Sequence, residues 1–140
     1  MSFYGVRDVP ELLITGRERE YFTWFIKNEA YDPTSIPDDA IEEYVAKASQ
    51  PGGLRSLFNI YRETAANVRD NRKTAEKKLT LPVLAIGSKD FIGLEVRTQM
   101  ENVCEKGIVT YKELDFGHQL AEECPEQLAK LFLEFLNKEA

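Results

Sequence analysis

The run Leu81-Pro-Val-Leu-Ala-Ile86, closed by Gly87, is apolar along its whole length rather than at every second position. A strand of that kind suits burial on both faces, the condition of a strand inside a parallel sheet. Parallel neighbours need a crossover, and the chain provides one, since Leu94 to Cys104 reads as a helix and Ile108 to Leu114 as a second strand. A last helix, from Pro125 to about Asn137, repeats Leu128, Leu131, Phe132, Phe135 and Leu136 at the spacing of a helix docked on a sheet. Two strands are too few. A doubly buried strand needs cover above and below and neighbours beside it. Either the helical half covers the sheet in an unusual way, or the polypeptide is shaped to pack against strands it does not contain, and the second reading is favoured.

Upstream, from Pro10 to about Lys78, apolar residues recur at helical spacing with no strand-like alternation of useful length. Three helices are predicted. The first runs from Pro10 or Glu11 to Asn28, carries Tyr21, Phe22, Trp24, Phe25 and Ile26, and stops before Tyr31-Asp32-Pro33, where proline disfavours a helical residue ahead of it. The second opens at Ser35-Ile36-Pro37-Asp38, a serine with an acid three positions later, and buries Ile41, Tyr44, Val45 and Ala48. Pro51-Gly52-Gly53 ends it, and a third places Leu54, Leu57, Phe58, Tyr61 and Ala65 along one face. The expected division is a helical segment over 1–78 and an α/β segment over 79–140.

Composition excludes several classes. With 140 residues the chain is long enough for a real core, and 43% apolar against 30% charged residues fits neither disorder nor a disulfide scaffold. Eighteen Lys and Arg against 24 Asp and Glu leave a formal charge of −6, which argues against a phosphate-gripping surface and so against nucleic acid as a partner. The densest basic stretch, Arg69 to Lys78, is interleaved with Asp70 and Glu76 and reads as a solvated helix end. Cys104 and Cys124 have no second cysteine at metal-ligand spacing, and a single histidine leaves no Cys/His zinc set, so no metal is expected. Reduced thiols suggest a cytoplasmic setting. The start, Met1-Ser-Phe-Tyr-Gly-Val-Arg-Asp8, has no charged region followed by an apolar run, and nowhere do 18 apolar residues follow one another, so neither export nor membrane spanning is expected.

The residues able to do chemistry sit in the second half. Gly87-Ser88-Lys89-Asp90 puts an acid just past the carboxyl end of a strand, where open α/β sheets gather functional groups. The sole histidine, His118, follows the second strand in Asp115-Phe116-Gly117-His118. Carboxylate and histidine are two parts of a nucleophile, base and orienting-acid triad. Asp115 is a rival carboxylate, rated lower because it stands only three residues before His118. No Gly-x-Ser-x-Gly or Gly-x-Asp-x-Gly turn occurs to present the third part. For His118 and Asp90 a structural role competes with the chemical one, and for Tyr61 and Trp24, on their apolar helix faces, packing is the default reading.

These segments carry a resemblance. Gly87-Ser-Lys-Asp90 with Asp115-Phe-Gly-His118-Gln-Leu-Ala-Glu-Glu-Cys-Pro125-Glu resembles the last two strands of an α/β-hydrolase, with the patterns G-x-x-D and G-H-x-x-x-x-E-x-P-E. Val9-Pro-Glu-Leu-Leu-Ile-Thr-Gly-Arg-Glu18, Tyr21-Phe-Thr-Trp-Phe25, Pro51-Gly-Gly-Leu-Arg55 and Phe58-Asn-Ile-Tyr-Arg62 are similar to the helical cap of the epoxide hydrolase and haloalkane dehalogenase branch. The resemblance implies a partial fold: a cap followed by the last two parallel strands and helices of the hydrolase sheet. It makes His118 the base that directs water against a covalent ester and Asp90 its acid partner, although the family's acid sometimes stands upstream of the cap. Tyr61 becomes the cap hydroxyl at the epoxide oxygen. Trp24 and Phe25 become substrate contacts in a pocket for a small hydrophobic molecule. Thr23 stands where fluoroacetate dehalogenases use histidine, which argues against a halide cradle. No cofactor is implied.

The aspartate nucleophile and the oxyanion loop of that family belong to the first six strands. The expectation is therefore a fragment of an epoxide hydrolase-like enzyme that is inactive alone and partnered by an upstream hydrolase half. A homodimeric, non-catalytic binding module and a gene remnant are the alternatives.

Overall fold

A computed structural model describes residues 3–138. The chain divides into two compact units, residues 1–26 with 37–74 and residues 27–36 with 75–140. The stretch 27–36 clusters with the later residues.

The first unit is helical. After a 3₁₀ turn at Phe3–Gly5 come α1 (Val9–Ile14), α2 (Glu18–Glu29, the end of which enters the second unit), α3 (Asp38–Ala48), α4 (Gly53–Arg62) and α5 (Thr64–Thr74). Two of the three expected helices are broken. Gly16 takes φ +81, a left-handed conformation that ends α1 before α2 begins, and the Thr15 N–H and hydroxyl both return to the Glu11 carbonyl. The third stops at Arg62, and Thr64 starts α5 with its hydroxyl on the Tyr61 carbonyl at 2.6 Å. Ser35 does not cap α3. Its hydroxyl donates to the Asp32 carbonyl at 2.7 Å, and Pro37, which has no side-chain acceptor, holds the cap position.

The core of this unit holds Ile14, Phe22, Ile41, Ala48, Leu54 and Phe58. Tyr44, expected inside, is 41% exposed. Tyr4 is the hub of an aromatic cluster, stacked on Phe58 at 5.0 Å, tilted on Tyr61 at 4.7 Å, edge-on to Phe25, and hydrogen-bonded through its hydroxyl to Tyr21. Beside it Glu11 holds two helices together. Arg62 donates to both its carboxylate oxygens, at 2.8 and 2.9 Å, and Arg55 Nε lies 2.9 Å away. The Arg62 hydrogen bond is the main reason the Glu11 carboxyl is held below the ordinary glutamate range. Three of the cap-like sequence segments, those containing Glu11, Arg55 and Arg62, are joined by this one contact.

The second unit is the α/β part: β1 (Val83–Ser88), α6 (Gly93–Val103), β2 (Val109–Leu114), α7 (Leu120–Glu123) and α8 (Pro125–Lys138). The strands are parallel and in register from Val83 opposite Val109 to Ser88 opposite Leu114. Among the described residues the sheet has these two strands, so each has one neighbour. Ala85, Gly87 and Ser88 are buried, but Val83, Leu84 and Ile86 are only half-buried, less than an all-apolar strand calls for. The face expected of α8 is likewise open: no residue of the helix is buried, and Phe132 and Leu136 are 47% and 61% exposed. The apolar pattern of the sequence is fully present and only partly covered. No helix among the described residues is long and apolar enough to cross a membrane.

Candidate active site

The site begins where both strands end. Lys89 N–H donates to the Leu114 carbonyl at 2.9 Å and Asp90 N–H to the Phe116 carbonyl at 3.3 Å, so the loop after β1 lies along the loop after β2. Ser88, the buried polar residue of the core, turns its hydroxyl onto the carbonyls of Phe116, at 2.6 Å, and Gly117. The parallel register therefore carries over into the two loops that bear Asp90 and His118.

Gly117 explains why glycine precedes the histidine. A Cβ there would sit 2.5 Å from the Glu29 carbonyl oxygen, 2.7 Å from the carbonyl carbon of Ala30, and closer still to Tyr31 N. All three are backbone atoms, which cannot swing aside. The close approach lets His118 N–H reach the Glu29 carbonyl at 2.8 Å. Gly117→Ala is expected to cost the second unit about 1–3 kcal/mol, as overpacking does. Urea unfolding measures that loss, and amide exchange at His118 should speed up with it. An unchanged midpoint together with a still protected His118 amide would show that the backbone yields.

The His118 side chain is 43% exposed. Its ring packs on Phe91, centroids 3.9 Å apart and planes inclined at 34°. Nε2 lies 4.0 Å from Glu29 Oε2, beyond hydrogen-bond length and within ion-pair range of a protonated imidazole. Asp90 is exposed, and among the described residues its carboxylate makes no hydrogen bond or ion pair. Asp115, the rival carboxylate, pairs with Lys89 at 2.9 Å, a hydrogen bond that raises the lysine above its ordinary range.

The other candidates lie in the first unit. Tyr61, in the last turn of α4, is 42% exposed and packed on Tyr4. Phe25 is half-buried and stacked on Tyr21, centroids 6.0 Å apart. Trp24 is 63% exposed and lines an apolar cleft of about 300 Å³ with Leu13, Ile14, Arg17, Glu20 and Tyr21. That volume is at the lower end for a small-molecule site. Sequence reasoning passed over Tyr4, Phe91, Glu29 and Glu123. Only Glu123 had a signal, as the glutamate of the pattern that begins at Gly117-His118. Among the described residues no group of three or more His, Cys, Asp or Glu is placed to hold a metal.

No protein-family model matches the chain. The soluble epoxide hydrolase of Corynebacterium sp. (strain C12) is 32% identical over 108 residues, 75% of this chain and 36% of that enzyme. The crystal structure of Cfl2 from Burkholderia cenocepacia superposes with a TM-score of 0.87 at 36% identity, over 95% of this chain and 45% of that one. The chain is a partial α/β-hydrolase. The epoxide hydrolase CorEH matches this partial hydrolase over 99% of its length, with 27% identity and a TM-score of 0.85, and again only 50% of CorEH is covered. The chain thus spans between about a third and a half of the relatives it matches. The helices and the two-stranded parallel sheet together superpose on these α/β-hydrolases over nearly the whole of this chain.

Proposed function

We propose that this partial hydrolase supplies the cap and the base of an epoxide hydrolase-type site, and that the nucleophile comes from strands outside these 140 residues. The observation that carries the proposal is the placing of an accessible, backbone-anchored imidazole at the carboxyl end of a parallel strand, beside a second loop bearing Asp90. In the assembled enzyme an aspartate attacks an epoxide carbon, and the carbon–oxygen bond opens as Tyr61 gives its proton to the leaving oxygen. The product of this step is an ester. His118, with Asp90 on the neighbouring loop, takes a proton from water as the water attacks the ester carbonyl and returns it to the departing diol oxygen, and the carboxylic acid so released gives its proton back to the Tyr61 phenolate, which restores the aspartate. Trp24 and Phe25 shape the apolar side of the pocket for a small hydrophobic epoxide.

Without the nucleophile and the oxyanion donors, the largest stabilising contributions are missing. The isolated chain is expected to open no epoxide above the rate in buffer. Mixing it with a polypeptide carrying the first six strands of an epoxide hydrolase-type enzyme, including its Gly-x-Asp-x-Gly turn, is expected to restore turnover of a small aryl epoxide. Turnover by the isolated chain, or none from a mixture that forms a stable complex, overturns the proposal. A second reading, a self-associating binding module in a cytoplasmic setting, draws on the single-neighbour strands and the open face of α8. It requires a homodimer in light scattering that the added half does not dissociate.

A further inference from the structure

We propose that Glu123 is the positioning residue for His118, an inference that rests on His118 being the base. Three consecutive backbone N–H groups, those of residues 117, 118 and 119, are each bound. His118 N–H goes to the Glu29 carbonyl at 2.8 Å, and the two flanking it go to one side chain. Glu123 Oε2 accepts from Gly117 N–H at 3.1 Å, and Oε1 accepts from Gln119 N–H at 3.0 Å. Oε2 also accepts from Tyr31 N–H at 2.7 Å. A single carboxylate therefore ties the histidine loop to the segment that presents Glu29, the residue whose side chain faces His118 Nε2.

The geometry leaves the histidine little freedom. With the amides on both sides fixed, the direction of its Cα–Cβ bond is set, and the ring settles on Phe91. A carboxylate suits the task because it is acceptor-only, and its bonds to N–H are charge-assisted. Glutamine cannot replace it. One amide oxygen would serve one side of the clamp while the NH₂ met an N–H donor on the other, donor against donor. The backbone amides do not move to meet a shorter side chain, since Gly117 is already in contact with the backbone of Glu29, Ala30 and Tyr31.

The test uses the 140-residue chain itself and needs no turnover, so it decides the role of Glu123 whether or not the enzymatic reading stands. His118 is the sole histidine, and its ring protons give one unambiguous pair of signals in a proton NMR spectrum. Packed against Phe91, they are expected to be displaced upfield by the ring current, and Phe91→Leu removes that displacement. Glu123→Gln is expected to abolish at least half of it and to make the Gly117 and Gln119 amides exchange at least about tenfold faster than in the Glu126→Gln control. An undiminished displacement in folded Glu123→Gln overturns the proposal even if the variant melts earlier, because a merely structural role lowers stability without moving the ring. If Glu123→Gln does not fold, the unaltered chain decides. Slowed exchange at Gly117, Gln119 and Tyr31 supports the clamp, and unprotected exchange at these amides overturns it.

Discussion

Phe58→Ala is expected to destabilise the first unit by about 3–5 kcal/mol, the usual cost of emptying a buried phenylalanine site. Phe58 is 1% exposed, stands on α4 between the arginines that hold Glu11, and stacks on Tyr4 at 5.0 Å. Its removal opens a cavity and deprives the hub of the aromatic cluster of its stacking partner. Collapse into the space is hindered, since Tyr4 is also held by its hydroxyl bond to Tyr21. The sole tryptophan, Trp24, lies in the same unit and reports its unfolding by fluorescence. Ile60→Ala, on the same helix at 64% exposure, is the contrast and should stay within about 0.5 kcal/mol of the parent. A loss below about 1 kcal/mol for Phe58→Ala would mean that Tyr4 and its neighbours repack.

The elements that were legible in the sequence are those whose signal is local. The all-apolar run ending at Gly87, the crossover helix and the strand before Asp115 each occur within a residue or two of their expected bounds. So does the shortage of strands, which the half-covered β1 and the exposed face of α8 express in the folded chain. The helix breaks were missed because apolar spacing continues across them. At Gly16 the interruption depends on a left-handed backbone, and at Glu63 nothing in the residue types marks it. The geometry of the candidate site was legible only in part. His118 announces itself as the sole histidine after a strand, but Glu29 comes from 89 positions earlier and meets it through a close approach that only the glycine at 117 permits. Ring packing by Phe91 depends on the turn after Ser88, where Phe91 N–H returns to the Ser88 carbonyl at 3.2 Å. Contacts of that kind are set by the backbone path of two loops at once, and no periodicity encodes them.

His118→Ala, in the proposed assembly with the first six strands of an epoxide hydrolase-type enzyme, is expected to lower steady-state epoxide turnover by a factor of about 10² to 10⁴, the range a positioned general base provides. The shape of the loss matters more than its size. Under the proposed reaction the aspartate attacks carbon without help from the histidine, so the first step survives and the second does not. One equivalent of substrate should be consumed in a burst, after which the ester accumulates on the half that carries the nucleophile, where intact-mass measurement finds a gain equal to one substrate. Tyr61→Phe is expected to behave differently, slowing ring opening and leaving no ester to collect, because the proton it gives is needed before the intermediate forms. The two variants therefore separate the roles that the sequence resemblance joins. A His118→Ala enzyme that loses turnover with neither burst nor adduct would move the histidine to the opening step, and the base for ester hydrolysis would have to be sought elsewhere. Glu123→Gln supplies the intermediate case: with the imidazole present but loosely held, kcat falls while KM stays near the parent value, and the adduct is seen only transiently.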